Sequence, residues 1–204
     1  MKLLGSPSSP FVRKVRVVAA EKAIPIDYVI DRPSAPESLV PTLNPLGKIP
    51  VLVLDDAEVI YDSAVIAEYF EGLKPEPRLI PADFAGRITV KRWEALGDGL
   101  AETTVTISHD YGPMNDLSKR EAWMPKQFSK VERALAAIDA AVRGRNWLYG
   151  DTFTFADICI GYALFYADAE LPKLSLRRDY PTLASYTERL AARPSFRDTA
   201  PDVA

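Results

Sequence analysis

Ser9 and Pro10 stand together near the start of the chain, just after a short apolar run. A serine there supplies an N-cap oxygen, and proline tolerates the first helical position because its missing N–H has no partner in that turn. The hydroxyl then lies beside unpaired N–H groups and the positive end of the helix dipole, a place that favours an anion. Asp62-Ser63 repeats the arrangement at a second helix start, where N–H groups and the Ser63 hydroxyl can hold a carboxylate while Asp62 pairs with an ammonium group. Between them, Asn44-Pro45-Leu46-Gly47-Lys48-Ile49-Pro50-Val51 sets a proline at the opening of a strand, where a cis bond after Ile49 would need a reason, since only ~5% of X-Pro bonds in folded proteins are cis. Taken singly, each segment also reads as punctuation: Ser9 and Asp62 as helix caps, Pro50 as part of a turn. A serine nucleophile would need a base, but the sole histidine, His109, lies far along the chain, and no Gly-x-Ser-x-Gly elbow is present.

These residues need elements to position them. Met1 to Leu4 reads as a short strand, a helix follows from about Pro10 to Ala23, and Ile26 to Ile30 reads as a second strand before a proline-punctuated stretch with at most a short helix. Ile49 to Leu54 and Glu58 to Tyr61 flank a polar turn and predict a hairpin, and Asp62 opens a helix with Val65, Ile66, Tyr69 and Phe70 at helical spacing. The order is βαβ, then ββα. Leu73 to Pro81 reads as a semi-rigid linker, and only helical patterns follow it. Phe128, Val131, Leu135, Ile138 and Val142 mark one buried face of a bundle helix, with Lys130, Glu132 and Arg133 in water. From Phe155 to Tyr166 the helix is apolar all round, as at the centre of a bundle; Thr154 with Asp157 forms a capping-box-like pair, and Phe153 with Ile158 a hydrophobic staple. The expected domains are 1–76, an α/β unit, and 84–204, an all-helical one.

Composition removes other classes of function. The 204 residues are 48% apolar and 26% charged, as in ordinary folded proteins, and 25 Lys plus Arg against 28 Asp plus Glu give a net charge of −3, which argues against a nucleic-acid partner. One cysteine, Cys159, with one histidine supports neither an internal disulfide nor a zinc site, so no metal is expected. Gly5-Ser6-Pro7 ends the first apolar stretch too early for a signal peptide, and the longest apolar run, Ile158 to Ala167, is about half of the ~20 residues that span a bilayer. A cytoplasmic, membrane-free protein is expected. Cys159 reads as a small buried hydrophobe, His109 as a surface or C-terminal helix residue, and Asp98 with Glu102 as a solvated helix face.

Together the segments resemble one family. Ser9-Pro10-Phe11 after a first strand, Asn44-Pro45 leading into Lys48-Ile49-Pro50-Val51-Leu52, and Asp62-Ser63 before Ile66-Ala67-Glu68-Tyr69 are similar to the amino-terminal domain of cytosolic glutathione transferases. Phe153-Thr154-Phe155-Ala156-Asp157-Ile158 and Arg193-Pro194-Ser195-Phe196 extend the resemblance over essentially the whole chain, which is identified as a serine-type bacterial member. The resemblance implies a thioredoxin-like βαβ-ββα domain that holds glutathione, followed by a helical domain that contributes the electrophile pocket. It assigns Ser9 to the glutathione sulfur, with Ser8 or Ser6 as the alternative, Lys48 to the glycine carboxylate, the backbone of Ile49, before the family's cis proline at Pro50, to the cysteinyl part, and Asp62-Ser63 to the γ-glutamyl end. The usual family residue before that serine is glutamate, so Asp62 reaches less far. Trp93, Tyr111, Trp123 and Tyr166 are candidates for the electrophile pocket by domain position alone.

The reaction implied is addition of the glutathione thiolate to a small electrophile, with glutathione as co-substrate and a homodimer as the assembly. Isomerisation or peroxide reduction could use the same site. Mixed-disulfide chemistry does not fit, because relatives that perform it have cysteine where Ser9 stands. A glutathione-binding protein with little turnover is the competing class, since fold alone does not establish activity.

Overall fold

In the computed structural model, which describes residues 1–109, 117–171 and 173–201, the chain forms two compact units. One comprises Met1–Leu79 with the segment from Arg193, and the other Ile80–Ala192.

The first unit contains β1 (Lys2–Gly5), α1 (Pro10–Glu21), β2 (Asp27–Ile30), a short α2 (Val40–Leu43), β3 (Val51–Val53), β4 (Val59–Ile60) and α3 (Ser63–Leu73). The sheet order is β2-β1-β3-β4; β1 runs parallel to β2 and antiparallel to β3, with Leu3 opposite both Tyr28 and Leu52. This is the expected thioredoxin-like arrangement. Leu4 and Val51 of the sheet pack with Val40 of α2, while Val12, Val15 and Ala19 of α1 are buried at three-four spacing, as are Leu3 and Leu52. Gly5 permits a close approach there, since a Cβ on it would lie 2.3 Å from a Val12 methyl.

α1 stops two residues short of the expected Ala23. The Lys22 amide closes the last turn on Ala20 and Val18, and Ala23 turns to a φ of 46°. Lys22 itself is fully buried: its ammonium meets Glu71 of α3 at 2.6 Å and donates to the carbonyls of Lys74 and Pro77 at 2.7 and 3.0 Å. The Glu71 carboxylate also accepts from the Leu79 amide at 3.2 Å. Every donor of the ammonium thus has an acceptor, which is the condition for a buried ion pair to be tolerated; removing one member of such a pair costs about 3–5 kcal/mol.

The second unit contains α4 (Phe84–Ser108), α5 (Leu117–Val142), α6 (Phe155–Glu170), a short α7 (Leu176–Asp179) and α8 (Pro181–Ala191). On α5, Val131, Leu135, Ile138 and Val142 are buried as expected, while Lys130, Glu132 and Arg133 are exposed. α6 is buried without interruption from Phe155 to Leu164. Gly97 brings α4 against it: a Cβ on Gly97 would lie 2.3 Å from the Cys159 carbonyl oxygen. At the start of α6 the Asp157 carboxylate accepts from the Thr154 amide at 2.8 Å, the Leu148 amide at 2.9 Å and the Tyr186 hydroxyl at 2.8 Å. Phe153 packs edge-on against Trp147, with ring centres 5.3 Å apart. Asp98 departs from the solvated face expected of it. It is half-buried and accepts from the hydroxyl of fully buried Tyr162, whereas Glu102 is exposed.

The last element, α9 (Pro194–Arg197), packs on α1. The residues from Arg193 therefore sit with the thioredoxin-like unit, whereas the sequence reading carries the helical domain on to residue 204.

Candidate functional site

β1 ends at Gly5, and three residues of loop separate it from Ser9. Ser9 has extended backbone angles (φ −73°, ψ 123°), caps α1, and accepts from the Val12 amide at 3.3 Å, with Pro10 in the first turn. It is half-buried. Ser8 is exposed, and its hydroxyl lies 2.8 Å from that of Ser6. Of the serines weighed for the sulfur contact, Ser9 alone is the capping residue at the positive end of α1. No acidic side chain stands in that first turn to neutralise it.

The second segment is organised by Asn44, which is 2% exposed. Its side-chain nitrogen donates to the Lys48 carbonyl at 2.8 Å and its oxygen accepts from the Leu46 amide at 3.0 Å. Gly47 makes the turn with a φ of +60°, a conformation that L side chains rarely adopt. Lys48 is exposed, Ile49 half-buried and Pro50 buried, and the Ile49–Pro50 bond is cis. The β1–β3 register pairs Leu4 with Val51; continued by one residue, it sets Pro50 across from Gly5, beside the loop that leads to Ser9.

The third segment follows β4, which pairs with β3 through Leu52 and Ile60. Asp62 is the N-cap of α3, and its carboxylate accepts from the Ala64 amide at 3.0 Å. It is exposed, while Ser63 is 4% exposed, and the Tyr61–Asp62 bond is cis. The Asp62 carboxylate is therefore engaged by its own helix, in addition to any role toward an ammonium group. β1, β3 and β4 deliver the three segments to one end of the sheet. The N-terminus of α1, without a first-turn acid, the Ser63 end of α3 and an exposed lysine lie there, an arrangement suited to an extended molecule with carboxylate or thiolate groups.

The remaining sequence candidates lie elsewhere. His109 caps the C-terminal end of α4, its ring nitrogen 3.3 Å from the Val105 carbonyl and 3.1 Å from the Ser108 hydroxyl. Cys159 is fully buried. Trp93, Trp123 and Tyr166 are half-buried on α4, α5 and α6, and Tyr111 lies outside the described residues. Among the described residues no group of three His, Cys, Asp or Glu could hold a metal ion, and no helix is long and apolar enough to cross a membrane. Sequence reasoning quoted Asn44 without its role in holding the loop, and passed over Arg13 and Glu21 on α1. The Asn-Pro-Leu-Gly run is a usable turn signal for the first, whereas the other two declare themselves only through partners far along the chain.

A model of the glutathione S-transferase N-terminal domain matches residues 8–73, and one of the C-terminal domain matches residues 121–189. The uncharacterized GST-like protein YibF of Escherichia coli (strain K12) is 34% identical over 202 residues, covering 98% of each chain. The chain belongs to the glutathione S-transferase family. Among solved members of that family, a glutathione S-transferase of Methylobacillus flagellatus KT with GSH bound is 43% identical with a TM-score of 0.90, over 98% of each chain. One from Methylobacterium radiotolerans JCM 2831, in complex with glutathione sulfonate, is 35% identical with a TM-score of 0.91, over 100% of this chain and 95% of that one.

Proposed function

We propose that this glutathione S-transferase family member binds glutathione at the common end of β1, β3 and β4 and adds its thiolate to electrophilic small molecules. The observation that carries the reading is the half-buried Ser9 hydroxyl at the unneutralised N-terminus of α1, in a chain similar to relatives solved with glutathione or glutathione sulfonate. In this reading Ser9 donates to the thiolate, Lys48 meets the glycine carboxylate, the Ile49 backbone pairs with the cysteinyl part, and Asp62 with Ser63 holds the γ-glutamyl end. The Asp62 contact is the shortest in reach, because that carboxylate also caps α3.

The energetics suffice. A free thiol of pKa ~8.5 is ~3% thiolate at pH 7, and lowering it to ~6.5 makes it ~75% for about 2.7 kcal/mol of differential stabilisation. A hydroxyl hydrogen bond and a helix N-terminus together supply that order of energy. The rest of catalysis is positioning of the two reactants. We place the protein in the cytoplasm and as a homodimer. The pairing is supported by Phe84, 79% exposed, with Ile88 one turn on at 52%, an apolar face of α4 that a second chain would cover.

Calorimetric titration with glutathione, followed by a panel of halogenated aromatics, epoxides, isothiocyanates, peroxides and maleyl compounds, tests the reading. Binding with turnover on the aromatic or epoxide members is the expected result. Turnover on the maleyl compounds alone would replace conjugation by isomerisation, tight binding without turnover would make the protein a glutathione binder, and no heat of binding would overturn the glutathione reading itself.

A further inference from the structure

The end of the described chain is fastened to α1 along most of that helix. Arg193 donates from Nε to one Glu21 carboxylate oxygen at 2.9 Å and from a terminal nitrogen to the other at 2.7 Å, and the Ser195 hydroxyl donates to the same carboxylate. Eight residues toward the N-terminus, Arg13 donates to the Phe196 carbonyl at 3.1 Å and lies 5.8 Å from the Phe196 ring centre. Arg16, between them, reaches the Asp198 carbonyl at 3.5 Å. Ser195, Phe196 and Thr199 are buried, and the Thr199 hydroxyl closes the segment on the Ser195 carbonyl at 2.7 Å. Burial and the nearby Arg16 lower Arg13 to about 10, which leaves it charged at neutral pH.

These bonds do what the apolar side of α1 cannot. Val12, Val15 and Ala19 hold the helix in the core through contacts that are non-directional, so they oppose separation more than they oppose sliding or rotation about the axis. A two-bond fork between guanidinium and carboxylate fixes both distance and orientation. Arg13 connects that constraint to the candidate site, because its amide donates to the Ser9 carbonyl at 3.1 Å in the turn that Ser9 opens.

We propose that the segment from Arg193 to Thr199 is a positioning element for Ser9, setting the axial place and rotation of α1 through Glu21 and Arg13. The proposal rests on the reading of Ser9 as the residue that contacts the glutathione sulfur. Arg193, Ser195 and Glu21 are positioning residues, since none of them touches the reacting atoms; a small displacement of a catalytic group is enough to lower turnover.

The test compares the wild type with Arg193→Ala, Glu21→Gln, Ser195→Ala and the Arg193→Ala/Glu21→Gln double variant. The pKa of bound glutathione is read from thiolate ultraviolet absorbance against pH, alongside kcat and KM with an electrophile that the wild type accepts. In the three variants that break the fork, the bound thiol should rise by ~0.5–1 pKa unit and kcat near pH 6.5 fall ~3–10-fold. KM for glutathione should stay within ~2-fold, because Lys48, Ile49 and Ser63 stand on other elements. The double variant should be no worse than the poorer single one, since both remove the same interaction, and Arg193→Lys should restore part of the loss. If Arg193→Ala does not fold, Glu21→Gln carries the same comparison, and Ser195→Ala should move the thiol pKa and kcat in the same direction with one hydroxyl removed. Variants that melt earlier but keep the wild-type thiol pKa and kcat would overturn the proposal and leave a purely structural tie. A wild type with no thiolate signal on adding glutathione would instead overturn the reading of the site beneath it.

Discussion

Ser9 and Cys159 are the two residues whose chemistry the environment separates most clearly. Ser9 offers a half-buried hydroxyl at a helix N-terminus, and its bond to the Val12 amide, 3.3 Å, is long for a cap. Ser9→Ala should therefore keep the fold, with a loss of about 1 kcal/mol for the cap, and keep most of the glutathione affinity, which the proposed site draws also from the Ile49 backbone, Lys48 and Ser63. Turnover should fall more than ~10-fold, as expected for a group that acts on the reacting atom. Steady-state kinetics with calorimetry checks this, and unchanged turnover would move the role to Ser8 or Ser6. Cys159, by contrast, is fully buried in α6, so the folded protein should present no reactive thiol of its own. A thiol-specific chromogenic reagent should label it only as fast as the helical unit opens, and rapid labelling of the native protein would contradict the placement.

Among elements, the start of α6 holds a buried carboxylate with several donors around it. Asp157 accepts from two amides and from two hydroxyls, those of Thr154 and Tyr186, yet burial still raises its pKa above the ordinary carboxyl value, because desolvation outweighs those bonds. A native state that binds this proton more tightly than the unfolded chain is favoured most below the unfolded value near ~3.9, and that contribution declines as pH rises through the folded value. Asp157→Asn does not titrate. Urea unfolding of both proteins between about pH 4 and pH 7 should accordingly show the stability difference shifting against the wild type as pH rises. The variant should be less stable throughout, by about 1–3 kcal/mol, because an amide cannot satisfy all four donors. A difference that does not vary with pH would mean that Asp157 titrates as it does in the unfolded chain.

For the whole molecule, Phe84 and Ile88 stand exposed one turn apart on α4, an apolar face that the proposed pairing would cover. Sedimentation at micromolar concentration should give twice the 22.6 kDa of one chain, and Phe84→Glu should shift the population to monomer; a wild type that sediments as a single chain would refute the pairing. The order βαβ-ββα, the caps at Ser9, Asp62 and Thr154, and the all-round burial of α6 were legible in the sequence because each is a local pattern: a capping oxygen, a proline, or an apolar period read over a few residues. The helix ends at Glu21, two residues before the apolar pattern stops, because Ala23 adopts a left-handed φ that its residue type does not announce. Asp98 carries no local sign of burial, because its partner, Tyr162, is sixty-four residues away.

Which residues could meet an anion, and in which order the elements run, follow from the order of residues alone, since both rest on short-range stereochemistry and hydrophobic period. It took the folded arrangement to show that β1, β3 and β4 bring the Ser9, Pro50 and Asp62 segments to one end of the sheet, and that Asn44 ties the middle segment in place. That arrangement also decided that Arg193 and Ser195 belong with α1 rather than with the helices that precede them. The physical reason is the same in each case. Strand register and long-range hydrogen bonds join residues whose separation along the chain carries no periodic signal, so their pairing is fixed by packing and not by any local run of residues.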